Sequence, residues 1–171
     1  MRYEYSLMLR TISLLTPISL LYKIFLPLTI WPVFFFLYIL KLSPYIQQDI
    51  ISVGQLQLSF IEACIAPYAY YLLIALIFLT KDITAAKRIK ILLLGSLLIL
   101  AANIVRILLL TLVLLYFGYN AFQSLHIIFW LFISTLYIVF LWLILIKIFK
   151  IKSIPVYSDI KYLLQNSFLK S

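Results

Sequence analysis

Polar residues are sparse along this chain and fall in bunches. Between them run apolar stretches at 24–40, 60–80, 91–117 and 127–146. Each is long enough, or nearly so, to cross a hydrocarbon layer of roughly 30 Å as a helix rising about 1.5 Å per residue. The pattern predicts an all-α, polytopic transmembrane bundle of four spans. Segment 11–22 is apolar but short, and Pro17 interrupts it, which makes it a candidate fifth membrane segment or an interfacial one. With Arg2 and Arg10 ahead of it, it also has the outline of a signal peptide. No small-x-small cleavage site follows, so the segment is expected to be retained. Open sheets are excluded from lipid because their edge groups would go unsatisfied. The alternating segments of about ten residues that mark a membrane β-barrel do not recur. In the tail at 153–171, Pro155 marks a turn and Ser158 is a possible cap. Ile160, Leu163 and Leu164 then share one face, the outline of a short interfacial helix on the cytoplasmic side.

Composition narrows the class further. Of 171 residues, 66% are hydrophobic and 11% charged, whereas soluble domains run at roughly 45–50% apolar and about 25% charged. That excludes soluble globular, disordered, collagenous and disulfide-rich chains, and the length suits a single transmembrane domain over 1–171. The formal net charge is +9, and its placement says why. With four spans, twelve of the 14 basic residues fall on one side: Arg2, Arg10, Lys23, Lys81, Lys87, Arg88, Lys90, Lys147, Lys150, Lys152, Lys161 and Lys170. Lys41 is the only basic residue in a loop on the other side. The positive-inside rule then places both termini in the cytoplasm and segments 41–60 and 117–126 outside. The charge is an orientation device, with contact to anionic lipid a secondary consequence, and no nucleic acid partner is expected. Glycine stands only at 54, 95 and 118, so no phosphate loop, GxxxG or CxxC motif is present, and no cofactor or metal is implied.

The basic residue that orientation leaves over is Arg106, inside the third span, roughly 22 Å from its inner boundary. An ionisable residue in lipid is costly and is by default a functional candidate. Asn103 lies one turn earlier on the same face. His126, the single histidine, stands where the loop at 118–125 meets the fourth span. Cys64, the single cysteine, lies roughly 6 Å into the second span. Each has a plain structural role open to it. Arg106 can snorkel to headgroups or pair with Glu62, His126 can be interfacial, and Cys64 can be a small hydrophobe. All three nevertheless come from different spans and fall within about 10 Å of the outer face. They are also the residue types that thiol acyl transfer uses: a nucleophile, a proton carrier and a cation.

The residues in order also match a known pattern. Ile61-Glu62-Ala63-Cys64-Ile65-Ala66-Pro67-Tyr68-Ala69-Tyr70-Tyr71-Leu72-Leu73 resembles the cysteine motif of the exosortase/archaeosortase family. Asn103-Ile104-Val105-Arg106-Ile107 resembles its arginine motif, and His126 matches its histidine position. Ile154-Pro155-Val156-Tyr157-Ser158-Asp159-Ile160-Lys161 is similar to the C-terminal signature of the short archaeal members, the pacearchaeosortases. Many family members carry Ser-Gly after the cysteine; here the pair is Ile65-Ala66, closer to the short archaeal branch. The resemblance covers about residues 55–165 and implies a membrane-embedded cysteine protease/transpeptidase. Its substrates would be exported proteins ending in a short motif, a transmembrane helix and a basic tail. Cleavage would pass through a thioester on Cys64, with His126 as proton shuttle and Arg106 as electrostatic stabiliser, and the product would pass to a lipid amine. Asn103 is expected to orient the arginine or a backbone group, and Glu62 is a supporting carboxylate that pairs with Arg106 or His126 or stays solvated. The rival from another class is a small-solute or ion carrier, or an accessory membrane subunit, with Arg106 on a polar pathway. Such a carrier needs polar residues through the midplane, and the inner halves of these spans are almost wholly apolar.

Overall fold

The computed structural model describes residues 16–80, 83–129 and 134–151. The N-terminal segment up to 15, and with it the first five residues of the candidate segment 11–22, lies outside them, as does the tail at 153–171. The first helix among the described residues, α1, runs Ile18–Ile39 and starts directly after Pro17, a residue that cannot continue a helix in the N-terminal direction. Pro27 and Pro32 lie inside it, each removing one main-chain donor, and the Thr29 hydroxyl donates to the Phe25 carbonyl at 2.8 Å within that stretch. Leu21, Thr29, Ile30, Val33 and Leu37 form its buried stripe.

The chain then does something the all-helical expectation did not contain. It forms a three-stranded antiparallel meander, β1 (Tyr45–Gln47), β2 (Ile50–Val53) and β3 (Leu56–Ser59), in the order β1-β2-β3. Ile46 faces Ile51, and Ile51 faces Leu58. Gly54, at φ 59, opens the turn between β2 and β3. The exclusion of sheets holds in lipid, but this segment lies between helices and packs on protein. Its alternate residues Ile51 and Val53, with Phe60 beyond β3, are buried against Ile30, Val33 and Leu37 of α1.

Among the described residues four helices follow: α2 (Glu62–Ile65), α3 (Pro67–Leu79), α4 (Ala85–Ile128) and α5 (Ser134–Phe149). Two of the described helices, α1 and α4, are long and apolar enough to cross a membrane; α3 and the stretch Leu136–Phe149 are shorter apolar helices. The residues expected as an outer loop, 118–125, are instead helical. Only Gly118 departs from helical geometry, at φ 79 and ψ −179, and splits α4 into a long arm and a short one. α3, α4 and α5 meet at Gly95, where a Cβ would stand 2.7 Å from Leu73 Cδ2 and 3.2 Å from Leu145 Cδ1. A small residue there lets helix backbones approach closely, the usual device where lipid supplies no hydrophobic drive between helices. Leu73, Ile77, Ile91, Ile99, Leu141 and Leu145 fill the core around that contact. A second core joins the sheet, α1, α2 and the middle of α4 through Ile51, Phe60, Ile65 and Ile107.

Candidate functional site

Cys64 stands on the short helix α2, and the reason α2 is short shapes everything around it. Ala66 adopts the left-handed conformation, φ 55 and ψ 48, and Pro67 begins α3. A helix bonds each N–H to the carbonyl four residues back. Pro67 has no N–H to give to Ala63, and the left-handed turn at Ala66 ends the helical ladder that would serve Cys64. Two carbonyls beside the cysteine therefore lose their helical donors, which would be costly in an apolar setting.

α4 supplies the replacements. Asn103 Nδ2 donates to the Cys64 carbonyl at 2.8 Å. Arg106 Nη2 donates to the Ala63 carbonyl at 3.0 Å and the Cys64 carbonyl at 3.3 Å. The two side chains are one turn apart on one face of α4, and both are buried, Asn103 5% and Arg106 8% exposed. The backbone group that Asn103 holds is thus the carbonyl of the cysteine itself. The cysteine thiol, on its other side, donates to the Ser59 carbonyl at 3.6 Å.

His126 reaches the same place by a reversal. On a straight helix, twenty residues would separate it from Arg106 by roughly 30 Å. Yet Cys64, Arg106 and His126 all line one cavity of about 340 Å³. The non-helical backbone at Gly118 folds the short arm of α4 back so that Tyr119, Phe122 and His126 close that cavity over Ile107, Leu110 and Thr111. The Phe122 ring stacks on the imidazole, centroids 5.5 Å apart and planes at 9°, a pairing that their four-residue spacing on a helix makes natural. The last wall is β3 with Phe60, contributing every residue from Leu56 to Phe60.

The three residues singled out on different segments thus share one cavity, with Asn103 behind the cysteine. Glu62 is placed differently. It is exposed, stands in the first turn of α2 and does not line the cavity. Among the described residues, no three His, Cys, Asp or Glu side chains gather as metal ligands. Two contributors to the wall escaped notice in the sequence. The alternation Leu56-Gln57-Leu58-Ser59-Phe60 is a strand signal that the apolar runs on either side outweighed. Gly118, one of only three glycines, reads in the sequence as the start of a loop, whereas it reverses the chain between two helical arms.

The family model described as Transmembrane exosortase (Exosortase_EpsH) matches residues 4–143. The chain belongs to the exosortase family of membrane proteins. No curated protein and no solved structure matched the chain.

Proposed function

We propose that this chain is a cysteine transpeptidase of the short archaeal type, embedded in the cell membrane by four spans formed by α1, α3 with α2, α4 and α5. Both termini lie in the cytoplasm and the site opens near the outer face, as the distribution of the basic residues favours. The observation that carries the reading is the convergence of Cys64, Arg106 and His126, from three separate segments, on one cavity.

In the first step His126 takes the thiol proton, and Cys64 Sγ attacks the carbonyl carbon at the scissile bond of an exported protein's C-terminal signal. The C–N bond breaks, a thioester forms, and the departing amine takes the proton back from the imidazolium. In the second step an amine of a membrane lipid attacks the thioester. An amide forms and the thiol is regenerated, so no outside oxidant or energy source is needed. Arg106 combines two duties. Its Nη2 holds the backbone of the nucleophile, and its positive charge stands at the cavity where thiolate and oxyanion develop. The apolar core below the site, built from Leu73, Ile77, Ile91 and Leu145, counts against a solute pathway through the bundle.

The test uses the full chain in membranes with a secreted reporter. The reporter carries the C-terminal tail of an exported protein from the same cell: a short motif, an apolar helix and a basic end. Processing should be seen with the natural chain and vanish in Cys64→Ala. Undiminished processing in that variant would remove the cysteine from the chemistry.

A further inference from the structure

The cavity wall made by β3 is unlike the other walls, which contribute residues one helical face at a time. Leu56, Gln57, Leu58, Ser59 and Phe60 all line it, five residues in a row. A strand turned face-on contributes only alternate residues, so this strand meets the cavity with its edge. The sheet order agrees, since among the described residues β3 is a terminal strand and only β2 pairs with it.

The hydrogen bonds define which groups that edge offers. In an antiparallel strand the N–H and C=O of one residue point the same way, and successive residues alternate sides. The Phe60 N–H donates to the Asp49 carbonyl at 2.9 Å, on the β2 side. By alternation Leu58 and Leu56 also face β2, while Gln57 and Ser59 face away from it. The Ser59 carbonyl confirms that direction, because it accepts from the Cys64 thiol at 3.6 Å and from the Ile61 N–H at 3.1 Å. The edge that faces away from β2 therefore ends at the nucleophile.

We infer that β3 is the docking edge for the substrate: the extended segment of the exported protein's tail adds to the meander as a fourth strand. This rests on the transpeptidase function proposed above and specifies how the peptide is held. An unpaired strand edge is a standing template for another chain, and strand addition takes its affinity from main-chain bonds. The Gln57 N–H and C=O anchor one residue of the tail. The residue two further along, roughly 7 Å away in an extended chain, comes opposite Ser59, where the thiol stands, and its carbonyl receives the attack. Recognition by main chain leaves side-chain choice to the cavity walls, where Phe122 and Tyr119 stand across from the strand.

The experiment keeps the enzyme intact and varies the reporter tail, replacing each residue ahead of its apolar helix with proline in turn. Proline removes one donor and fixes φ. Strand addition predicts sensitivity that alternates along the tail with a period of two. The residue anchored at Gln57 should lose about tenfold in processing rate for its missing main-chain bonds, and its immediate neighbours much less. A second arm, Gln57→Pro, removes the outward donor while leaving the bonds to β2 in place. It should lower processing about tenfold through a raised KM at unchanged membrane yield. A proline scan that is flat, or sensitive in one unbroken block, overturns strand addition while Cys64→Ala still abolishes processing. If Cys64→Ala processes the reporter normally, the transpeptidase function falls and the docking edge falls with it.

Discussion

The start and the later part of the long arm of α4 carry the same device in different surroundings. Near its start Arg88 sends Nε to the Ile83 carbonyl at 3.1 Å and Nη2 to the Thr80 carbonyl at 3.2 Å, with its guanidinium 5.5 Å from the centre of the Phe78 ring. Some eighteen residues later, Arg106 bridges the carbonyls of Ala63 and Cys64 through Nη2. Both arginines bind carbonyls at a helix break, where the chain offers no donor of its own. Arg88 is half-buried at a turn between helices. Arg106 is buried, stands beside a thiol and lines a cavity. The bare motif of a guanidinium on two carbonyls is therefore structural. What turns one copy of it into a site is what else converges there, and variants at the two places should separate accordingly.

The largest effects belong around Cys64. Cys64→Ala should reduce reporter processing at least about a thousandfold, as loss of a nucleophile does. Arg106→Lys keeps the charge but loses the planar fork, and a loss of about a hundredfold or more is expected in the same assay. Equal damage from Arg88→Lys would erase the distinction between the two places.

Next comes Gly118→Ala. A Cβ there meets nothing within 4 Å, so its cost lies wholly in the backbone. The conformation at φ 79 and ψ −179 is essentially reserved for glycine, and another residue in it costs about 1–3 kcal/mol. The short arm should swing away and take His126 with it. Processing should fall about as far as in His126→Gln, on the order of a hundredfold, while the thermal midpoint moves little. Activity near normal in Gly118→Ala would show that the reversal survives without glycine.

Asn103→Ala leaves the Cys64 carbonyl to Arg106 alone. It should lower kcat about tenfold with little change in KM, one main-chain hydrogen bond being worth roughly 1 kcal/mol. At the start of α4, Arg88→Ala should leave processing unchanged and cost about 1–2 kcal/mol of stability, read as a lower thermal midpoint. The smallest effect is expected from Ala66→Gly. It relieves a left-handed alanine that costs about 1 kcal/mol, offset in part by the added freedom of glycine in the unfolded chain. A clear drop in stability there would mean that the break at Ala66 is not strained.

Much of the site could be read in advance because lipid makes polar residues informative. Arg106 and Asn103 stood out in an aliphatic run, and their spacing put them on one face. Cys64 and His126 stood out by being single. What stayed hidden was the order of contact. Glu62, two residues from the cysteine in sequence, is exposed and outside the cavity, whereas Ser59, five residues away, accepts from the thiol. Whether a neighbour in sequence is a neighbour of the thiol depends on the break at Ala66 and the strand before α2, and periodicity in an apolar run reports neither.

The sequence by itself determined that this is a helical membrane protein, and through its charge pattern it favours one orientation. It also determined which few polar residues had to be accounted for, because burying them in lipid is too costly to be incidental. The tertiary structure decided how those residues meet. The reversal at Gly118 brings His126 back to Arg106. The broken helix at Ala66 turns the Ala63 and Cys64 carbonyls to Asn103 and Arg106. The meander sets a strand edge against the thiol. Each of these depends on backbone conformations at one or two residues, which composition and period do not encode, and on packing partners far away in the chain.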